Sequence, residues 1–227
     1  AGAHILVNSR SVERADELVK KIKNAGCSAE AAVFDVTNKQ QVEAFTSMQV
    51  GTPLHILINN AYSGGAGSIE LSNTEQYAES YDVTVLSAHR LIKYLLPNLR
   101  LAVTECGDAS IINIASMYGV VSPDQGIYDS QNSVNPPFYG ASKAALIGLT
   151  RYAACEFGKE SIRTNSISPG PFPSKVVQEN LEFTQKLANK VPMARIGQAE
   201  EIQGTILFLA SQASSFVNGA NLAVDGG

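Results

Sequence analysis

Cysteine is scarce in this chain. The three present, Cys27, Cys106 and Cys155, are odd in number and far apart, with no Cys-x-x-Cys pair. That excludes a disulfide framework and reads as reduced packing residues of a cytoplasmic protein. Histidine is equally sparse: His4, His55 and His89 share no ligand spacing, so no metal is expected. Excess positive charge is lacking too. Charged residues make up 17% of 227 positions and the net charge is -4, which argues against nucleic acid as a partner. No apolar run approaches the roughly 20 residues of a membrane span, so no membrane is expected either. Internal repeats and low-complexity segments are absent. What remains is 44% hydrophobic, enough for one good core, and residues 1–227 read as a single domain.

Apolar runs and helical patterns alternate along the chain. Residues 4–8, Ala29–Phe34, Leu54–Ile58, Ser110–Ala115, Ile162–Ile167 and Asn221–Val224 read as strands. Helices are expected over Val12–Ala25, from an Asn38 cap to Met48, over Thr74–Leu96 with Pro97 as terminator, and over Phe138–Gly158, Phe183–Lys190 and Glu200–Ser211. Strands that alternate with helices need crossover connections. The fold class is therefore α/β, a doubly wound parallel sheet in a three-layer α/β/α arrangement. The strands are apolar throughout, as expected where helices cover both faces.

Ligands on such sheets bind beyond the carboxyl ends of the strands. Ser9, Arg10, Asp35, Asn60, Ser116 and Pro169-Gly170 all follow strand ends. Next to them stands Phe138-Tyr139-Gly140-Ala141-Ser142-Lys143. A tyrosine and a lysine four residues apart share one face of a helix. An ammonium beside a phenol favours the phenolate, so Lys143 is expected to lower the Tyr139 pKa and make it a usable acid/base. Ser116, just past a strand, could hold a substrate oxygen beside it.

These residues together resemble the short-chain dehydrogenase/reductase family. The marks are Asp35-Val36, Asn59-Asn60-Ala61, Ser116-Met117-Tyr118-Gly119, Tyr139-x-x-x-Lys143, Asn165-x-Ile167-x-Pro169-Gly170 and Val224-Asp225-Gly226-Gly227, and they run from residue 2 to 227. The resemblance implies a Rossmann-like fold and hydride transfer between a nicotinamide nucleotide and a carbonyl or secondary alcohol. It makes Tyr139 the proton donor, Ser116 the holder of the substrate oxygen and Lys143 the holder of the nicotinamide ribose. Asp35 and Val36 would contact adenine, and Asn60 with Ala61 the adenine-side ribose. The Pro169–Ser174 loop, with Gly170, Phe172 and Ser174, would contact the nicotinamide. The family commonly forms homodimers or homotetramers through its two long helices, and Ala141, Ala144, Ala145, Gly148 and Ala153 would permit close packing there.

Cofactor choice can be argued from charge. An acid after the second strand of a dinucleotide fold selects NAD, whereas arginine accommodates a 2′-phosphate. Asn8-Ser9-Arg10 has no acid, and a hydroxyl beside a guanidinium suits a phosphate. NADP(H) is expected over NAD(H).

Four departures from the family pattern carry expectations of their own. No Thr-Gly-x-x-x-Gly-x-Gly loop occurs, so the natural protein is expected to carry a strand, that loop and a helix of roughly 25–30 residues ahead of residue 2. That strand would be central, and without it two strand edges open inside the core. Thr84 stands where the family usually has an asparagine that helps hold a water. Tyr62 replaces the glycine of Asn-Asn-Ala-Gly and could line the substrate pocket or face solvent. Finally, 23 residues separate Ser116 from Tyr139, since 139 − 116 = 23, which is longer than the dozen or so common in the family. The extra loop, residues 122–137, is rich in Asp, Asn, Gln, Ser and Tyr and suits a sugar-like or polyol substrate, with Tyr62, Tyr118 and Tyr128 as candidate contacts. A 3-oxoacyl-carrier-protein reductase and a non-catalytic nucleotide-binding protein stay open as alternatives.

Overall fold

The alternation of apolar runs and helical patterns becomes six parallel strands joined by helical crossovers. The computed structural model describes residues 2–227. From β1 (His4–Ser9) the chain passes through α1 (Val12–Asn24) to β2 (Ser28–Val33), then through α2 (Lys39–Met48) to β3 (Ile56–Asn59). A long helical stretch follows: α3 (Thr74–Tyr81), one π-helical turn (Asp82–Leu86) and α4 (Ser87–Cys106). Then come β4 (Ala109–Ile114), α5 (Pro137–Phe157), β5 (Ile162–Pro169), α6 (Lys175–Gln178), α7 (Leu181–Ala188), α8 (Gln203–Leu209) and β6 (Asn221–Val224). Five helix starts carry side-chain caps: Ser11, Asn38, Asn73, Ser174 and Asn180 accept from the backbone N–H groups of Arg14, Gln41, Gln76, Val177 and Phe183.

Every pairing is parallel, but the strands form two sheets, β1-β2 and β3-β4-β5-β6. β1 and β3 are both edge strands. A cavity of about 680 Å³ is lined by Leu6 and Asn8 of one and by Ile56, Ile58 and Asn59 of the other. The two open edges expected from the sequence both border it.

Adjacent residues of a strand point to opposite faces, and the core divides accordingly. Ile111 of β4 packs with Leu57, Leu91, Leu95, Leu99 and Ile162 under α4 and α5. Its neighbour Ile112 packs with Ile167 and Leu209 under α8. Val7 meets Val19 of α1 and Ala29 of β2 in a third, smaller cluster.

Three expectations are corrected. Pro97 does not end the long helix; it lies on the exposed face of α4, which runs on to Cys106. A mid-helix proline costs about 3 kcal/mol. Leu95 and Leu99 on the inner face are buried, at roughly 1.5–3 kcal/mol each, and outweigh it. The cysteines are not packing residues: all three are exposed. The strands are not apolar throughout either. β5 buries Arg163, Thr164, Asn165, Ser166 and Ser168. Arg163 makes two 2.8 Å bonds to the Asp108 carboxylate. Asn165 donates to Val217 O and accepts from Ala220 N, and Ser166 and Ser168 both donate to Asn221 Oδ1. Polar side chains here strap the 217–221 segment onto the sheet, which keeps most of them partnered.

Candidate active site

The strand ends deliver the candidate residues to one rim of the sheet. Ser9 closes β1 and Arg10 follows; Asp35 lies two residues past β2; Asn60 and Ala61 follow β3; Ser116 lies two past β4; Pro169 closes β5 and Gly170 follows. Tyr139 and Lys143 enter from the first two turns of α5.

Two close approaches lock the Ser116 turn against α5. A Cβ built on Gly140 would come within 2.7 Å of the Tyr118 carbonyl oxygen, and one on Gly119 within 2.9 Å of the Lys143 carbonyl carbon. Only a residue without a side chain lets the backbones meet this closely. Ser116 is buried and its Oγ accepts from Tyr118 N at 3.1 Å, which leaves its own O–H free to donate.

Lys143 is 3% exposed. Its Nζ donates to Ile114 O at 2.6 Å and lies 5.7 Å from the ring centroids of both Tyr62 and Tyr139. Burial pulls the Lys143 pKa down to about 8. Tyr139 lies above its ordinary value, because burial raises it more than the Ser116 hydroxyl beside it lowers it. This reverses the expectation that Lys143 depresses the Tyr139 pKa. The ammonium is turned to a carbonyl, and desolvation dominates the phenol.

Aromatic rings wall the site. Tyr62 meets Tyr139 edge-on with centroids 4.7 Å apart, and Tyr118 meets it edge-on at 6.5 Å. Burial, and then Tyr139, push the Tyr62 phenol up to about 12. Burial raises Tyr118 as well, helped by a 3.4 Å contact with the Tyr128 hydroxyl. Tyr128 in turn packs on Phe183 of α7, centroids 5.6 Å apart. The 122–137 loop is thus built into the site wall, with Ile127 and Val134 buried beneath it. Val134 O accepts from Gly67 N, which pins the loop after β3. Asp129 and Asp124 pair with Lys186 and Lys190 at 2.8 and 2.6 Å, which ties the 122–137 loop to the α7 segment.

The remaining candidates are placed as follows. Arg10 is exposed, with Nη1 3.8 Å from Asp35 Oδ2. Ser9 Oγ accepts from Ser11 N. Burial raises the Asp35 pKa, but two bonds from Thr37 and the Arg10 charge outweigh it and hold the carboxyl below its usual value. Val36 is buried in the core and its carbonyl accepts from Arg90, so its side chain offers little surface to a ligand. Gly170 sits against Asp225, where a Cβ would meet the Asp225 Cα at 2.5 Å. Phe172 lies against Gly197, and Ser174 caps α6. Three participants escaped the sequence reading: the Ile114 carbonyl, Phe183, and the close contact of Gly119 and Gly140 with their neighbours. None leaves a signal in residue type or spacing.

The donor set at the strand ends fits a dinucleotide: Ser9, Arg10, Asn60 and Lys143 bring a hydroxyl, a guanidinium, an amide and an ammonium to one rim. Asn60, Ala61 and Thr84 also line the cavity that runs along the open β1 and β3 edges. Thr84 sits in the π-helical turn, a break in regular helix of the kind often found at functional sites. Among the described residues no group of His, Cys, Asp or Glu is placed to hold a metal, and no helix is long and apolar enough to cross a membrane.

Comparison with known proteins agrees with this geometry. The family model described as Enoyl-(Acyl carrier protein) reductase matches residues 1–227. 5-Keto-D-gluconate 5-reductase of Escherichia coli K12 is 34% identical, over 100% of this chain and 85% of the relative. 7alpha-Hydroxysteroid dehydrogenase of the same strain is 29% identical, with the same two coverages. The crystal structure of a gluconate 5-dehydrogenase from Burkholderia cenocepacia J2315, in complex with NADP and tartrate, superposes with a TM-score of 0.85 at 28% identity. It covers 100% of this chain and 85% of that one. With the motifs at one sheet rim and a family model across its whole length, the chain belongs to the short-chain dehydrogenase/reductase family.

Proposed function

We propose that this oxidoreductase reduces the ketone of a sugar-acid- or polyol-like substrate, and oxidises the matching secondary alcohol, with NADP(H). The observation that carries the reading is the gathering of Ser116, Tyr139 and Lys143 at one strand end inside a wall of tyrosines. The substrate class is supported by the similarity to a 5-keto-D-gluconate reductase and by the polar 122–137 loop in the site wall.

The nicotinamide, when bound, supplies or accepts the hydride. Tyr139 gives its proton to the substrate oxygen. A phenol held above its ordinary pKa is fully protonated at neutral pH, the form that reduction requires. The Ser116 hydroxyl donates to the same oxygen, where negative charge develops, and so lowers the barrier. Lys143 holds the nicotinamide ribose, and the Pro169–Ser174 loop, with Gly170, Phe172 and Ser174, holds the nicotinamide. Asn60 and Ala61 take the adenine-side ribose, and the Asp35-Val36 backbone borders the adenine. Ser9 and Arg10 take the 2′-phosphate; Arg10 is exposed and only loosely paired, so its guanidinium is available.

We place the protein in the cytoplasm, where exposed thiols stay reduced. It assembles as a homodimer or homotetramer through α4 and α5. Ala141, Ala144, Gly148 and Tyr152 form an exposed, mostly small-residue face on α5, while Ala153 turns to the core. Light scattering on the eluting protein reads the assembly directly.

The test is NADPH oxidation followed by absorbance with 5-keto-D-gluconate, L-sorbose, a 3-oxoacyl thioester and a 7-ketosteroid. The expected result is a higher kcat/KM for the two sugar-like ketones. Preference for the thioester or the steroid would overturn the substrate class and leave the hydride chemistry standing.

A further inference from the structure

Two lysines, Lys186 of α7 and Lys190 of the turn that follows it, stand four residues apart and so on one side of this segment. Both reach the 122–137 loop. Lys186 Nζ lies 2.8 Å from Asp129 Oδ1, and Lys190 Nζ lies 2.6 Å from Asp124 Oδ2. Each pair is set up from its own side. Glu182, one turn back on α7, also pairs with Lys186, at 3.0 Å. Asp124 accepts from Gly126 N through Oδ1 at 2.8 Å, which leaves Oδ2 for the lysine.

The aromatic wall of the site begins beside these pairs. Phe183 of α7 packs on Tyr128, the neighbour of Asp129 in the chain, with centroids 5.6 Å apart. The Tyr128 hydroxyl is 3.4 Å from that of Tyr118, whose ring meets Tyr139 edge-on. A run of three rings thus leads from α7 to the proton donor. Exposed ion pairs add little to global stability, because water screens them and both side chains have to be ordered. Local stability is a different matter. Of the eight residues of α7 only Leu187 and Ala188 are buried, and neither α7 nor the loop belongs to a sheet. A segment with so few buried apolar contacts opens locally at small cost, so a modest tie decides how often it is in place.

We propose that Lys186 and Lys190 are positioning residues: through Asp129 and Asp124 they hold Phe183 on Tyr128 and keep the tyrosine wall closed around the substrate. Ketone binding is then sensitive to ionic strength, whereas proton transfer from Tyr139 is not. The inference rests on the hydride-transfer reading of the site and is independent of the sugar-like substrate.

The test compares the full chain with Lys186→Glu, Lys190→Glu and the exchanged pair Lys186→Glu/Asp129→Lys. Hydrogen exchange, read without any ketone, should quicken about three- to tenfold over residues 122–137 and 181–190 in each single variant. It should return toward wild type in the exchanged pair and stay level over α5. In turnover of L-sorbose or 5-keto-D-gluconate at saturating NADPH, the ketone KM should rise about three- to tenfold in the single variants, with kcat within about twofold. Salt raised to about 0.5 M should likewise raise the wild-type KM and leave that of Lys186→Met/Lys190→Met level. Unmoved exchange, or an exchanged pair no better than the single variants, would overturn the tie. Faster exchange with an unmoved KM, or a thermal midpoint that falls together with kcat, would leave a fold contact only and overturn the positioning role. Failure of every ketone to turn over would count against the proposed function alone, and the exchange measurement would still decide the tie.

Discussion

Lys143 donates from Nζ to the Ile114 carbonyl, 2.6 Å away, and this bond ties the helix that carries Tyr139 to the strand that leads to Ser116. The relative position of proton donor and oxygen holder is therefore fixed by a buried cation on a backbone carbonyl. That arrangement also explains why the phenol is governed by burial rather than by the ammonium.

The first prediction concerns pH and stability. The Lys143 pKa is about 8 in the folded chain against 10.5 in the open. Between those values the unfolded chain holds a proton that the native chain has lost, so this group makes stability rise with pH; below pH 8 its contribution is flat. Tyr139, raised in the native state, acts in the opposite sense above pH 10, so the useful window is pH 8 to 9.5. Urea unfolding should show wild type gaining on Lys143→Met there, by at most about 1.4 kcal/mol per pH unit. Parallel pH profiles for the two proteins would contradict the burial of this cation.

The second concerns the cofactor. Arg10→Ala should lower kcat/KM with NADPH by roughly 10- to 100-fold, the worth of a charge-assisted bond to phosphate, and leave NADH within about threefold. Comparable losses with both nucleotides would make Arg10 a solvent-side partner of Asp35 and nothing more.

The third concerns backbone contact. Gly140→Ala drives a methyl to 2.7 Å from the Tyr118 carbonyl oxygen, and overpacking of this kind costs about 1–3 kcal/mol. Gly204→Ala in α8 meets nothing within 4 Å and should be neutral or stabilising. In thermal melts the first should fall by several degrees while the second holds or rises. Equal midpoints would mean that the Tyr118 turn moves freely against α5.

Much of this was legible in the sequence, for identifiable reasons. Strand ends announce themselves because apolar runs stop at polar turn residues, and in a parallel sheet all those ends share one rim. Ser9, Arg10, Asp35, Asn60, Ser116 and Gly170 all stand at such ends. The two open edges followed from strand order alone. Pro97 misled because local propensity says nothing of Leu95 and Leu99 buried on the opposite face. The polar residues of β5 misled in the other direction, since their partners on the 217–221 segment lie about 50 residues away in sequence. The Tyr139 pKa was unreadable, because a four-residue spacing gives a shared helix face but not which neighbour the ammonium will choose.

The central claim is that the Tyr139 phenol is the proton donor of a hydride-transfer site. Single-turnover and steady-state rates of NADPH-linked reduction by Tyr139→Phe, with NADPH affinity measured in parallel by fluorescence, test it most directly. The expected result is a kcat lower by roughly 10²- to 10⁴-fold with cofactor affinity retained. A kcat within about threefold of wild type would show that the proton comes from elsewhere.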